Sequence, residues 1–229
     1  MYEDLPFRFS GFGPLLLSIQ LGAVTTVLLL IVGTPLAFWL ARLRSRWKIP
    51  LEAIVALPLV LPPTVLGFYL LVLLGPGGGI GKWWFELTGS TLTFSFSGLV
   101  VASMLYSLPF VVQPIQNAFE AVGRRYDEAA AVLGASRIDT FFTVTAPLAV
   151  RGFLTALIMG FAHTLGEFGV VLMVGGNIPG ETRVISIAIY DHVESLNYGA
   201  AHVTSAILLV FSFIVMLTMY AINRRWRHD

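Results

Sequence analysis

Inside the long apolar runs of this chain stand Ser103, Ser107, His163 and Glu167, the side chains best suited to chemistry. A serine beside a histidine base is the kernel of a hydrolase, and clustered histidine and glutamate that of a zinc site. Neither pattern is complete. There is no G-x-S-x-G elbow and no H-E-x-x-H pair, since His163 is followed by a glutamate only at the fourth position. A carboxylate in such a run is costly and is normally paired or placed beside water. His163, four residues before Glu167, is expected on the same helix face, so the two serve either a buried pairing or a gate. The run Gly77-Gly-Gly-Ile-Gly-Lys82 looks like a phosphate loop, but G-x4-G-K-[ST] would need glycine at 76 and a hydroxyl residue at 83, where Pro76 and Trp83 stand. It reads as a turn, followed by Trp83 and Trp84 as an interfacial anchor. No ATP site, cofactor or metal site is assigned to this chain.

The elements that must position these residues are membrane spans. Of 229 residues 56% are hydrophobic and 12% charged, with a mean hydropathy of +0.82, against roughly 25% charged in soluble domains. Five stretches, near 14–40, 53–75, 98–119, 148–175 and 203–223, approach the length that crosses a bilayer core, about 20 apolar residues of helix. The start carries Glu3 and Asp4 and runs uncharged from Phe9 to Ala41, unlike a cleavable signal peptide, so the first stretch is expected to remain as a helix. Cysteine is absent, which excludes a disulfide framework. With five spans, Arg42, Arg44, Arg46, Lys48, Arg124, Arg125, Arg137, Arg151, Arg224, Arg225 and Arg227 fall on one side, against Arg8, Lys82 and Arg183 on the other. The positive-inside rule then puts the N-terminus outside and the C-terminus in the cytoplasm. The loops are short and no linker joins two units, so 1–229 reads as a single transmembrane domain.

Two segments interrupt this plan. Residues 124–147 form a part-charged cytoplasmic insert in which 126–133 are good helix formers, Gly134 suits a left-handed cap, and Ser136 with Asp139 starts a second short helix. Ile138, Phe141, Phe142 and Val144 supply its apolar content and Pro147 ends it. Such an element either docks on a partner protein or rests on lipid. Asp127, Glu128 and Asp139 suit anionic lipid poorly, which favours docking. In the second stretch Pro58, Pro62 and Pro63 remove backbone donors and must bend the helix, giving either a packing kink or a broken helix that lines a cavity. Thr64, Ser103, Ser107, Gln113, Thr155 and Thr164 are the uncharged donors for a polar path, and no lysine or arginine lies mid-membrane.

From Glu128 to Pro147 the insert resembles the E-A-A-x3-G-x9-I-x-L-P loop of ABC-importer membrane subunits, with Glu128, Ala129, Ala130, Gly134 and Pro147 in place and departures at Val144 and Ala146. Leu57-Pro-Leu-Val-Leu-Pro-Pro63 and Gly166-Glu-Phe-Gly169, followed by Asn177-Ile-Pro-Gly-Glu-Thr182, are similar to runs of the molybdate permeases within that family. The resemblance covers nearly the whole chain. It implies an all-α polytopic fold of the type I ABC importer permeases, with the insert as the coupling helix seated in a cleft of an ATPase. It also implies a homodimer, an ABC ATPase subunit that binds ATP and Mg2+, and a substrate-binding protein on the outer side, in the cytoplasmic (inner) membrane and with no nucleic acid. The implied activity is ATP-driven import of molybdate by alternating access. Tungstate or sulfate and thiosulfate permeases come second, and a passive anion channel or an intramembrane hydrolase is a remote third. A carboxylate repels a tetrahedral dianion, so Glu167 is not expected to hold cargo. The candidate pore or gate set is Pro62, Pro63, Thr64, Ser103, Ser107, His163, Thr164 and Glu167.

Overall fold

The computed structural model describes residues 12–225, and side chains as far as residue 221. Glu3 and Asp4, which spoke against a signal peptide, and Arg8 and the side chains of Arg224, Arg225 and Arg227, which entered the charge sorting, lie outside what is described. Every regular element among the described residues is helical. Three helices are long and apolar enough to cross a membrane: α1 (Phe12–Arg42), α5 (Phe96–Val122) and α12 (Tyr198–Arg225). The count rises to five only if each of two bent helix pairs is one span.

The first bent pair is α2 (Lys48–Ala56), continued by a 3-10 turn Leu57–Leu59, and α3 (Pro63–Leu74). They meet at 105°, so the stretch expected as a single span over 53–75 is a sharp corner. The prolines are the cause. A residue before proline is pushed out of the helical region, and Pro62, which precedes Pro63, sits at φ −54°, ψ 135°. Pro63 then opens α3 at a position where no backbone donor is needed. Beyond α3 a turn over 75–78 leads into α4 (Gly79–Thr88), so the run 77–82 read as a turn is one only at its start; its remainder opens a helix that carries Trp83 exposed.

The stretch expected over 148–175 is also divided. Its parts are α9 (Val150–Leu165) and α10 (Gly169–Gly175), separated by Gly166, Glu167 and Phe168. Ahead of α9 lie α6 (Arg125–Val132), α7 (Arg137–Thr140), a π-helical turn Phe141–Thr145 and α8 (Ala146–Leu148), and the chain bends by 71° between Leu148 and Val150. Pro147 thus stands in the first turn of α8 and the bend falls two residues later, because proline is tolerated at a helix start. After α10, a loop leads to α11 (Ile185–Glu194), which packs on α12.

α5 is the centre of the bundle, packing against α1 and α9, while α10 packs against α3 and α5. One cluster joins Leu29, Ala37 and Leu40 of α1 to Val111, Val112, Ile115 and Phe119 of α5 and Ala156 of α9. A second holds Leu70 and Leu74 of α3 with Val170 and Val174 of α10. Lipid tails are as apolar as leucine, so close backbone approach rather than water exclusion binds such helices. Glycine provides it at the two breaks. A Cβ on Gly67 would stand 2.8 Å from Met173 Cβ, and one on Gly169 would stand 2.8 Å from Pro63 Cβ. By contrast only 11% of the most apolar stretch of α12 is buried, leaving Leu209, Phe213 and Leu217 on an open face.

Candidate functional site

The insert is built as its residues dictate. Arg124 precedes α6, Gly134 ends it at φ +84°, a left-handed conformation costly for residues with a Cβ, and Ser136 Oγ accepts from Asp139 N at 3.2 Å to start α7. The apolar side chains of the insert then divide. Phe141 turns inward and meets Phe38 of α1 edge-on at 5.3 Å, while Val132, Leu133, Ile138 and Phe142 are 88%, 87%, 73% and 68% exposed. Glu128 and Ala129 are exposed on the same element and Ala130 is half-buried.

What holds the insert in place is a polar knot that the sequence did not reveal. The Arg42 guanidinium lies 2.6 Å from Asp127 Oδ2 and donates to Gly123 O at 2.8 Å, and Arg124 donates to Arg42 O. Thr145 Oγ1 donates to Asp127 Oδ1 at 2.8 Å. Asp127 therefore ties the end of α1 to both halves of the insert. Arg42 and Asp127 were legible only as a basic flank and as an acidic residue unsuited to lipid.

The second site is where the two helix breaks meet. A cavity of about 590 Å³ is lined by Pro63, Thr64, Tyr106, His163, Glu167 and Phe168, among others. It gathers four of the candidate pore residues, and the rest lie around it. Pro62 caps α3, Ser107 Oγ is 2.8 Å from His163 Nδ1 and 3.0 Å from Thr164 Oγ1, and Ser103 is fully buried on the preceding turn of α5.

His163 and Glu167 do not pair. The helix ends at Leu165, so the four-residue spacing no longer sets them on one face, and each finds different surroundings. His163 is stacked on Phe110 at 3.9 Å and touches the Tyr106 ring at 4.6 Å. Glu167 is 4% exposed, and its carboxylate lies beside the Ser103 hydroxyl without the alignment of a full hydrogen bond. The Glu167 carbonyl accepts from Ser186 Oγ at 2.6 Å, which fixes the break. The Ser107–His163 contact has the distance of a nucleophile and base, but no described carboxylate orients the imidazole, and Ser107 is shared with Thr164. It is a tie between α5 and α9.

Apolar helices long enough to cross a membrane, with an exposed, capped helical insert latched to them, are the frame of a polytopic membrane protein. The chain belongs to the family described as binding-protein-dependent transport system inner membrane component, whose sequence model matches residues 33–228. It is 57% identical over 220 residues to the molybdenum transport system permease protein ModB of Azotobacter vinelandii, covering 96% of this chain and 97% of that one. It is 37% identical to ModB of Escherichia coli K12, covering 91% and 93%. The sulfate transport system permease protein CysT of Synechocystis is 33% identical, covering 87% of this chain and 70% of that one. Among solved structures, a bacterial ABC transporter that imports alginate matches with a TM-score of 0.76 at 17% identity, covering 93% of this chain and 79% of that one. An inward-facing MetNI methionine ABC transporter matches with 0.72 at 15%, covering 97% and 98%. The chain is thus the permease subunit of an ABC importer in the inner membrane, with ATP hydrolysis belonging to a separate subunit.

Proposed function

We propose that this permease moves molybdate, as one of two copies that form the path. The 57% identity along almost the full length of a molybdenum permease carries the cargo reading. In this reading α1, the α2–α3 corner, α5, α9 with α10, and α12 each count as one span, giving five, with the N-terminus outside and the insert and C-terminus in the cytoplasm. Tetrahedral dianions of similar shape, tungstate and sulfate, are the second reading, supported by the 33% identity to a sulfate permease.

In this reading the exposed Val132, Leu133, Ile138 and Phe142 enter a groove on the ATPase, with Glu128, Ala129, Ala130, Gly134 and Pro147 shaping the coupling helix. The ATPase holds ATP and Mg2+, and a substrate-binding protein delivers the anion to the outer loops. Closure of two ATPases on ATP draws the two inserts together. The Arg42–Asp127 knot passes that displacement to α1, and through the Phe38, Phe119, Phe141 and Phe153 rings to α5 and α9. Rigid-body alternation of this kind needs no chemistry from the permease. The paired breaks at Pro62–Pro63 and Gly166–Phe168, with Glu167, Ser103, Ser107, His163, Thr64 and Thr164 around them, form the gate.

The test is uptake of molybdenum, tungsten and sulfur, counted by mass spectrometry in cells with and without the chain, grown on trace oxyanion. Loss of molybdenum that excess molybdate restores is the expected result. Unchanged molybdenum with loss of sulfur or tungsten transfers the cargo to the second reading.

A further inference from the structure

A second cavity lies between α5 and α9, nearer the insert. It has a volume of about 570 Å³ and is lined by Gln113 and Asn117 of α5, Arg151 and Thr155 of α9, and Leu59 of the turn after α2. Its residues from α5 and α9 lie one or two turns from those of the gate cavity, Phe110 and Gln113 after Tyr106 and Met159 and Thr155 before His163, and Leu59 stands on the other side of the corner from Pro63. Phe110 lines the lower cavity and stacks on His163, which lines the upper one. The two chambers therefore share a wall made of two rings.

Their chemistry is opposite. The upper chamber contains the Glu167 carboxylate, whereas the lining of the lower one includes no carboxylate and has a guanidinium and two primary amides. Among the described residues Arg151 makes no ion pair, and the side-chain amides of Gln113 and Asn117 make no hydrogen bond. The carboxylates on neighbouring turns of α2 and α5 are already engaged: Glu120 with Lys48 at 2.8 Å, and both Glu52 and Glu120 with Gln116. Arg151 also sits in the first turn of α9, where the helix dipole adds to its positive field. Arg151 and Asn117 are exposed and Gln113 is half-buried, so a guanidinium and two amides open together onto one chamber, the donor set an oxyanion requires.

The geometry points to a binding site for a tetrahedral dianion in this lower chamber, with Arg151 as its charge partner and Gln113 and Asn117 as donors. It rests on the transport reading above and assigns the step at which cargo, once past the Phe110–His163 wall, is held before release on the side of the insert.

The test uses the complete complex of permease and ATPase in lipid nanodiscs without nucleotide, with sodium molybdate as the probe and bound molybdenum counted after equilibrium dialysis. Arg151→Gln is expected to weaken binding about tenfold or more, the worth of a charge-assisted bond to a dianion. Arg151→Lys recovers most of it, and Arg44→Gln, an exposed cation on the same side, leaves it unchanged. If Arg151→Gln does not assemble, Gln113→Leu with Asn117→Leu replaces it, with a smaller loss expected. Equal affinity in the altered and original complexes, or the same loss from Arg44→Gln, overturns the site. Absence of molybdate binding to the original complex also overturns it, while cellular molybdenum uptake leaves the transport reading standing. Sulfate held in an Arg151-dependent way, with sulfur the element imported, keeps the site and moves the cargo.

Discussion

Removing the Asp127 carboxylate should uncouple hydrolysis from transport before it unfolds the permease. Arg42 and Asp127 are 15% and 29% exposed, so solvent screens their attraction only in part. The 2.6 Å approach is an ion-pair contact in which the guanidinium atom lacks the alignment of a hydrogen bond. Its strength is therefore chiefly Coulombic, between the ~0.2–1 kcal/mol of exposed pairs and the ~1.5–3 kcal/mol of charge-assisted bonds. A double-mutant cycle of Asp127→Ala with Arg42→Met is expected to give a coupling of about 1–2 kcal/mol. Asp127→Ala alone costs more, about 2–4 kcal/mol, because it leaves a largely buried guanidinium unpaired and the buried Thr145 hydroxyl without its carboxylate. At about 2–4 °C per kcal/mol for a chain of this size, the thermal midpoint falls by about 4–16 °C. The decisive assay is molybdate delivered per ATP hydrolysed by the complex in proteoliposomes, run well below that midpoint. A loosened insert lowers the ratio while hydrolysis continues. Single substitutions that add within ~0.5 kcal/mol, together with an unchanged ratio, would refute the latch.

Three further outcomes follow from the same geometry. Gly134→Val forces a β-branched residue to φ +84°, costing about 1–2 kcal/mol, and lowers ATPase association measured by co-purification more than it lowers permease yield. Leu133→Arg alters a side chain that is 87% exposed, so the permease keeps its thermal midpoint within the ~0.5 kcal/mol usual for surface changes but loses the ATPase on co-purification. Gly169→Leu drives a side chain into Pro63, costs about 1–3 kcal/mol by overpacking, and separates α10 from α3, which reduced cross-linking between cysteines placed at 66 and 173 would report.

Much of this was legible because it is local. Gly134 and Ser136 announce their caps by residue type alone, and the apolar runs over 14–40, 98–119 and 203–223 became the long helices α1, α5 and α12. The insert was recognisable because a charged, alanine-rich segment stands out from apolar surroundings. Composition could not give the 105° corner at Leu59–Pro63. Three prolines require a break, but its angle is set by α10 packing on α3. The same limit separated His163 from Glu167, whose spacing implies a shared face only if the helix continues past Leu165. Arg42 and Asp127, or Arg151 and Gln113, meet only when α1, α5 and α9 pack, and no periodicity along one segment encodes a contact between distant ones.

The contact of Gly169 with Pro63 also has an evolutionary meaning. Each residue marks the end of a different helix interruption, and neither has room to grow while the other keeps its present size. Because the obstructing atom is the Cβ of Pro63, which every residue but glycine carries, exchanging the proline alone does not release position 169 from glycine.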